Sequence, residues 1–138
     1  LKYYFADIGL RNARLNFRQV EETHIMENII YNDLIRRGYN VDVGVVEYNQ
    51  TEDNKKKRRQ LEVDFVVNRG NIRYYIQSAL ALNSEEKKEQ EINSLKRIDD
   101  SFKKIVVVKD DIIPRYDEQG IYYIGIKDFL LTDSVFEN

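Results

Sequence analysis

The sequence predicts an α/β domain in which helices flank a central mixed β-sheet of about five strands. Three observations support this prediction. Met26, Ile30 and Leu34 recur every four residues, which indicates an amphipathic helix over 19–37. Short β-branched and apolar runs follow, and two of them are separated by a turn sequence at 68–71. A second helical segment after the third strand carries the chain across to a fourth, which makes a mixed sheet.

The predicted elements follow one another with short connections. Arg36 and Arg37 before Gly38 are typical of a helix C-terminus, and Ser84 is a typical N-cap. We expect 1–18 to be a lead-in segment from an upstream part of a larger protein, and 19–138 to be the domain. The predicted ranges are a helix at 19–37, strands at 41–48, 61–67 and 72–82, a polar loop at 51–59, a helix at 84–99, strands at 105–108 and 121–126, and a short helix at 127–131.

Composition excludes several classes of protein. The chain has 138 residues, of which 42% are hydrophobic and 33% charged, enough apolar material for one core. A net charge of -2 excludes a uniformly basic surface but allows a local basic patch. The absence of cysteine excludes disulfides and thiolate zinc sites. No apolar run approaches the roughly 18 residues of a membrane span, so we expect a cytoplasmic protein without a membrane partner.

Two acidic residues occupy unusual positions, and two residues on the following strand share a face. Glu27 lies at the edge of the first helix's apolar stripe, about 20° from Leu34 on a helical projection. Asp64 lies inside a strand, where aspartate is uncommon and usually has either a functional role or a hydrogen-bonded partner. Gln77 and Ala79 are two residues apart on the next strand and therefore share a face.

Together these segments resemble a known superfamily. The chain resembles the restriction-endonuclease-like, or PD-(D/E)XK, superfamily, whose signature is a helical Glu, a strand Asp, and Glu/Asp-x-Lys on the next strand. It resembles more closely a C-terminal domain of unknown function found in bacterial and archaeal AAA+-type ATPases. The segments that carry this resemblance are Phe5-Ala6-Asp7-Ile8-Gly9-Leu10-Arg11-Asn12, Glu27-Asn28, Arg36-Arg37-Gly38-Tyr39-Asn40-Val41, Glu62-Val63-Asp64-Phe65-Val66 and Tyr75-Ile76-Gln77.

The resemblance implies a degenerate catalytic site. In active members the carboxylates hold Mg²⁺ and the lysine stabilises developing negative charge. Glu27 and Asp64 match the two acidic positions and would be the metal ligands, but Gln77 replaces the second strand carboxylate and Ala79 occupies the lysine position. Lys57, Arg58 or Arg73 would be candidates for a cation that enters from elsewhere.

The run Lys55-Lys56-Lys57-Arg58-Arg59 is the strongest local concentration of charge. It is a candidate contact for the phosphate backbone of nucleic acid. The alternative interpretation is a solvated hairpin tip, which the acidic total of the chain supports.

Three functions remain open from the sequence. The first is a non-catalytic accessory domain that a parent ATPase uses to contact DNA or another protein. The second is a Mg²⁺-dependent DNA endonuclease with a relocated lysine, and the third is a structural or oligomerisation module. The family architecture implies an upstream ATPase domain that binds ATP. This chain itself lacks a P-loop and carries no cofactor motif of its own. The partners implied are the upstream ATPase domain and DNA, and the oligomeric state is left open.

Overall fold

A computed structural model of the protein describes the backbone of residues 18–136 and the side chains of residues 21–136. Most of the predicted lead-in segment, 1–18, lies outside the described residues. The elements are α1 (Arg18–Arg36), β1 (Asn40–Glu52), β2 (Lys55–Arg69), β3 (Ile72–Ala79), α2 (Glu85–Lys96), β4 (Lys103–Val108), β5 (Arg115–Tyr116), β6 (Tyr122–Gly125), α3 (Ile126–Leu131) and a 3₁₀ turn at Ser134–Phe136.

The strands form a six-stranded mixed sheet in the order β1-β2-β3-β4-β6-β5. The first three strands are antiparallel neighbours, whereas β3, β4 and β6 run parallel. This confirms a mixed α/β sheet flanked by helices. The strand count differs by one, because β5 lies in the stretch predicted as a connection. Two residues are too few to show the alternation that identifies a strand in a sequence.

Helices cover both faces of the sheet. Ile30 and Leu34 of α1 pack with the face that carries Phe65 and Ile76. Ile92 of α2 packs on the opposite face, together with Val63 and Ala79. Each helix therefore buries one stripe against the sheet. None of the helices in the described part of the chain is long and apolar enough to cross a membrane.

The prediction of a polar loop at 51–59 is wrong. Strands β1 and β2 continue through this segment to a two-residue turn at Asp53 and Asn54, whose φ angles are 50° and 64°. Acidic residues on β1 explain why a run of cations can form a strand. Glu52 pairs with both Lys57 and Arg59, so like charges along β2 are balanced across the ladder.

A buried arginine fastens the C-terminal segment to α1. The Arg37 side chain is 9% exposed and its Nε donates to Asp33 Oδ2 at 2.7 Å. Its two terminal nitrogens donate to Asp133 and to the carbonyl oxygens of Phe129 and Thr132. The bond to Asp33, whose side chain is 6% exposed, satisfies a buried carboxylate, whereas the pair with Asp133 lies at the surface.

We expect Arg37→Ala to lower the free energy of unfolding by about 2–3 kcal/mol, because a mostly buried Asp33 would lose its buried partner. Urea unfolding followed by far-UV circular dichroism measures this. Arg36→Ala is the matched control: Arg36 pairs with the same carboxylate but is 67% exposed, and its loss should cost less than about 1 kcal/mol. Equal losses in the two variants would contradict the buried role of Arg37.

Candidate functional site

The candidate site lies where β2 and β3 separate. Their ladder ends at the pair Phe65–Ile76, so Asp64 and Gln77 lie just beyond the last paired residues. On its other side, β2 contains a β-bulge: Asp42 of β1 pairs with Val66, but Gly44 pairs with Val63. Two steps along β1 therefore match three along β2, which introduces one extra residue in β2.

The bulge changes which face of the sheet the side chains of β2 point to, so residues two positions apart on either side of it lie on opposite faces. Val63 faces the α2 side of the sheet, whereas Phe65 and Val67, two and four positions further on, face the α1 side. Gly44 makes the bulge sterically feasible, since a Cβ there would lie 2.6 Å from Val66 Cγ2. A glycine inside a strand pattern is the sequence signal that could have predicted this bulge.

Side chains replace the missing backbone ladder in the gap between the strands. Gln77 Oε1 accepts the backbone N–H of Asp64 at 3.0 Å. In the other direction, Asp64 Oδ2 accepts the backbone N–H of Ser78 at 2.9 Å and the Ser78 hydroxyl at 3.2 Å. Asp64 is only 8% exposed, so these bonds satisfy a nearly buried carboxylate.

An open cleft of about 660 Å³ lies at this gap, between α1, α2 and the C-terminal ends of β3 and β4. The structure brings all four candidate site residues into its lining: Glu27 from α1, Asp64 from β2, and Gln77 and Ala79 from β3. Glu27 is 9% exposed, consistent with its predicted position at the edge of the apolar stripe.

Two lysines that the sequence analysis did not consider also line the cleft. Lys87 belongs to the first turn of α2 and Lys109 follows β4 directly. The Lys109 ammonium pairs with Glu22 at 3.2 Å, which places an ion pair between α1 and the end of β4. Both lysines therefore bring positive charge to the cleft that Ala79 also lines.

The cations proposed as replacements are elsewhere. Lys57 and Arg58 pair with Glu52 and Glu47 on the distal part of the β1–β2 hairpin. Arg73 lies near the start of β3, where it donates to Asn68 Oδ1 at 2.8 Å. None of the three lines the cleft, because β2 and β3 carry them away from the strand ends where the cleft lies.

Three acidic residues of the cleft were not predicted from the sequence, namely Glu22, Glu91 and Asp110, and the pKa of the Glu91 carboxyl is shifted. Burial raises the pKa of the Glu91 carboxyl above its ordinary value, the neighbouring Asp64 carboxylate raises this pKa further, and Lys87 lowers it. A sequence signal existed: Glu91 is four residues before the buried Leu95, about 40° away on the helix. This is the same stripe-edge position that identified Glu27.

The oxygen atoms of the cleft differ in how far they are already engaged in hydrogen bonds. Mg²⁺ requires hard oxygen ligands arranged as an octahedron. Within the described residues, no group of three or more His, Asp or Glu side chains is placed to hold a metal ion. Gln77 uses its carboxamide oxygen on a backbone N–H, and Asp64 uses one carboxylate oxygen on Ser78. Glu27 and Asp64, the two positions that match the signature, would bind such an ion together with waters.

We expect Glu91→Gln to raise the melting temperature at neutral pH. The pKa of the Glu91 carboxyl is raised in the folded state, so the folded protein binds more protons than the unfolded chain. The stability that this carboxyl contributes therefore falls as the pH rises from its pKa in the unfolded chain to its pKa in the folded protein. The gain in the variant should therefore disappear at acidic pH, below both values. Thermal unfolding across this pH range measures it.

Glu86→Gln is the control for this prediction, because Glu86 is exposed on the same helix. It should produce no rise in melting temperature at neutral pH. A lower melting temperature for Glu91→Gln at neutral pH would show that the charged carboxylate stabilises the fold, and the prediction would fail.

Comparison with known proteins places the chain in a family. A protein of Haemophilus influenzae described as "Uncharacterized protein" is 31% identical over 134 residues. The aligned region covers 94% of this chain and 28% of that relative, so the chain spans little more than a quarter of its length. Residues 22–129 match the family described as "Domain of unknown function (DUF4143)", a match that includes the whole cleft. The chain therefore belongs to the DUF4143 family.

Proposed function

We propose that this chain is a nuclease-like but non-catalytic domain of a larger ATP-binding protein, which uses the domain to contact nucleic acid or another protein. The proposed fold is the restriction-endonuclease-like fold, supported by a helical Glu and a strand Asp that line one cleft at the end of the third strand. That the relative extends well beyond the aligned region supports a larger parent protein. ATP binding is proposed for that parent and not for this chain.

The hydrogen bond from Asp64 N–H to Gln77 Oε1 carries the proposal. In the superfamily signature the position that Gln77 occupies supplies the second carboxylate of the metal site. Here a neutral carboxamide occupies it, and its oxygen closes the gap between two strands. Gln77 therefore contributes a hydrogen bond between the strands in place of the negative charge of a carboxylate. This exchange favours the stability of the fold over the binding of a metal ion.

The charge of the cleft supports the same conclusion. Its lining includes five acidic side chains and two lysines, a formal charge of −3 with every group ionised. The acidic residues are Glu22, Glu27, Asp64, Glu91 and Asp110. Such a cleft repels phosphate unless divalent cations neutralise it, and its residues provide a weak ligand set for them. Contact with nucleic acid would therefore involve another surface.

A second candidate function is a Mg²⁺-dependent DNA endonuclease with a relocated lysine. Its support is the presence of Lys87 and Lys109 in the cleft that contains Glu27 and Asp64. Either lysine would stabilise negative charge on a phosphate, the role that Ala79 cannot perform.

Incubation of the protein with supercoiled plasmid in millimolar Mg²⁺ or Mn²⁺ distinguishes the two functions. We expect no nicking above the level of Asp64→Asn, because the cleft lacks a complete ligand set. Agarose electrophoresis over several hours measures the nicked fraction.

Nicking that Asp64→Asn abolishes would instead establish the endonuclease. In that case Lys87→Gln or Lys109→Gln should slow it by on the order of 10²–10³. Lys127→Gln is the matched control for both, since Lys127 is an exposed lysine on α3 outside the cleft, and its rate should equal that of the unchanged protein.

A further inference from the structure

The distal part of the β1–β2 hairpin, residues 47–60, forms an arm that projects from the sheet. β1 is the edge strand, and β2 pairs with β3 only from Phe65 onward. Both edges of the arm are therefore unpaired within the sheet. At about 3.3 Å per residue, the seven residue-to-residue steps from Leu61 to the tip at Asn54 span roughly 23 Å.

The base of the arm contacts the residue that follows α2. The Arg97 guanidinium stacks on the Tyr48 ring at 3.6 Å, and its Nε donates to Asn93 Oδ1 on α2. This contact joins the arm to the α2 side of the domain. Its tip is narrow, because positive φ angles at Asp53 and Asn54 form a two-residue turn that matches the twist of the strands.

The arm is basic although the chain is acidic. Residues 47–60 contain five cations and three acids, a net charge of +2, whereas the whole chain carries −2. Glu47 and Glu52 neutralise part of this charge through pairs with Arg58, Lys57 and Arg59. Asp53 adds an acid at the tip. Lys55 and Lys56 make no ion pair with another side chain in the described part of the protein.

The cations occupy both faces of the arm. Because side chains alternate along a strand, Lys55, Lys57 and Arg59 lie on one face, and Lys56 and Arg58 lie on the other. A flat acidic protein surface would contact only one of these faces. A groove with negative charge on both walls would contact both.

We propose that the arm binds double-stranded DNA by entering the major groove, where its two faces meet the phosphates of the two walls. The major groove of B-form DNA admits a two-stranded β-ribbon. The deep, narrow major groove of A-form RNA does not. This inference rests on the proposed interaction role of the domain and deepens it, since it assigns the partner class and locates the contact away from the acidic cleft.

Fluorescence anisotropy with a labelled DNA duplex, titrated with the protein at several salt concentrations, tests the proposal. The variant is Lys55→Gln with Lys56→Gln. Each lysine that neutralises a phosphate contributes about 0.9 to the slope of log K against log salt, which is about tenfold in affinity near 0.1 M salt. The double variant should therefore bind about 100-fold more weakly, with a slope smaller by about 1.8.

The control removes the same charge elsewhere. Lys96→Gln with Lys127→Gln changes two exposed lysines on α2 and α3 and should keep at least half of the affinity of the unchanged protein. Far-UV circular dichroism of both double variants checks that they are folded. Equal weakening in the two double variants would overturn the proposal, as would undetectable binding of DNA by the unchanged protein at low salt.

One further readout locates the contact. Double-stranded RNA of the same length should bind at least tenfold more weakly than DNA, and equal affinity would overturn the major-groove geometry. Plasmid nicking is scored in the same samples, so a catalytic cleft would refute the non-catalytic function without affecting the outcome for the arm.

Discussion

The site depends on the way Asp64 bridges two strands whose ladder has ended. Beyond Phe65 and Ile76, β2 and β3 no longer exchange backbone hydrogen bonds. The Asp64 carboxylate and the Gln77 carboxamide supply substitutes, one in each direction across the gap. Because the strands separate at this point, side chains of both helices can meet the strand ends in one cleft. Without this bridge, buried polar groups would lack partners at the centre of the sheet.

The same bridge limits the chemistry of the cleft. An oxygen that accepts a backbone N–H is a poorer candidate for coordinating a cation, and Gln77 brings no charge to replace the one it displaces. The remaining carboxylates are close enough for Asp64 to raise the pKa of Glu91. Like charges repel one another when no metal ion lies between them. Repulsion between these carboxylates therefore lowers the stability of the folded protein.

Charge is separated along β2. The strand begins in the basic arm, with cations on both faces, and reaches the acidic cleft at Asp64. The net charge of -2 averages these two regions and conceals both of them. A partner with a negatively charged backbone would be attracted to the arm and repelled by the cleft. The proposed function and the proposed role of the arm together imply that the domain binds DNA at a distance from the nuclease-like residues and does not cut it.

The sequence alone determined the elements whose signals are local. The four-residue period of Met26, Ile30 and Leu34, the Gly38 and Ser84 caps and the turn at 68–71 predicted α1, α2 and the β2–β3 hairpin, which the structure contains. The family resemblance also identified Glu27, Asp64 and Gln77, which the fold brings to one cleft. Only the tertiary structure decided that a run of cations forms a strand, since the acids that balance it lie on the opposite strand. It also decided which lysines lie near the site: Lys87 and Lys109 are distant from Asp64 in sequence, and their position depends on where α2 and β4 pack, which is a property of long-range contacts.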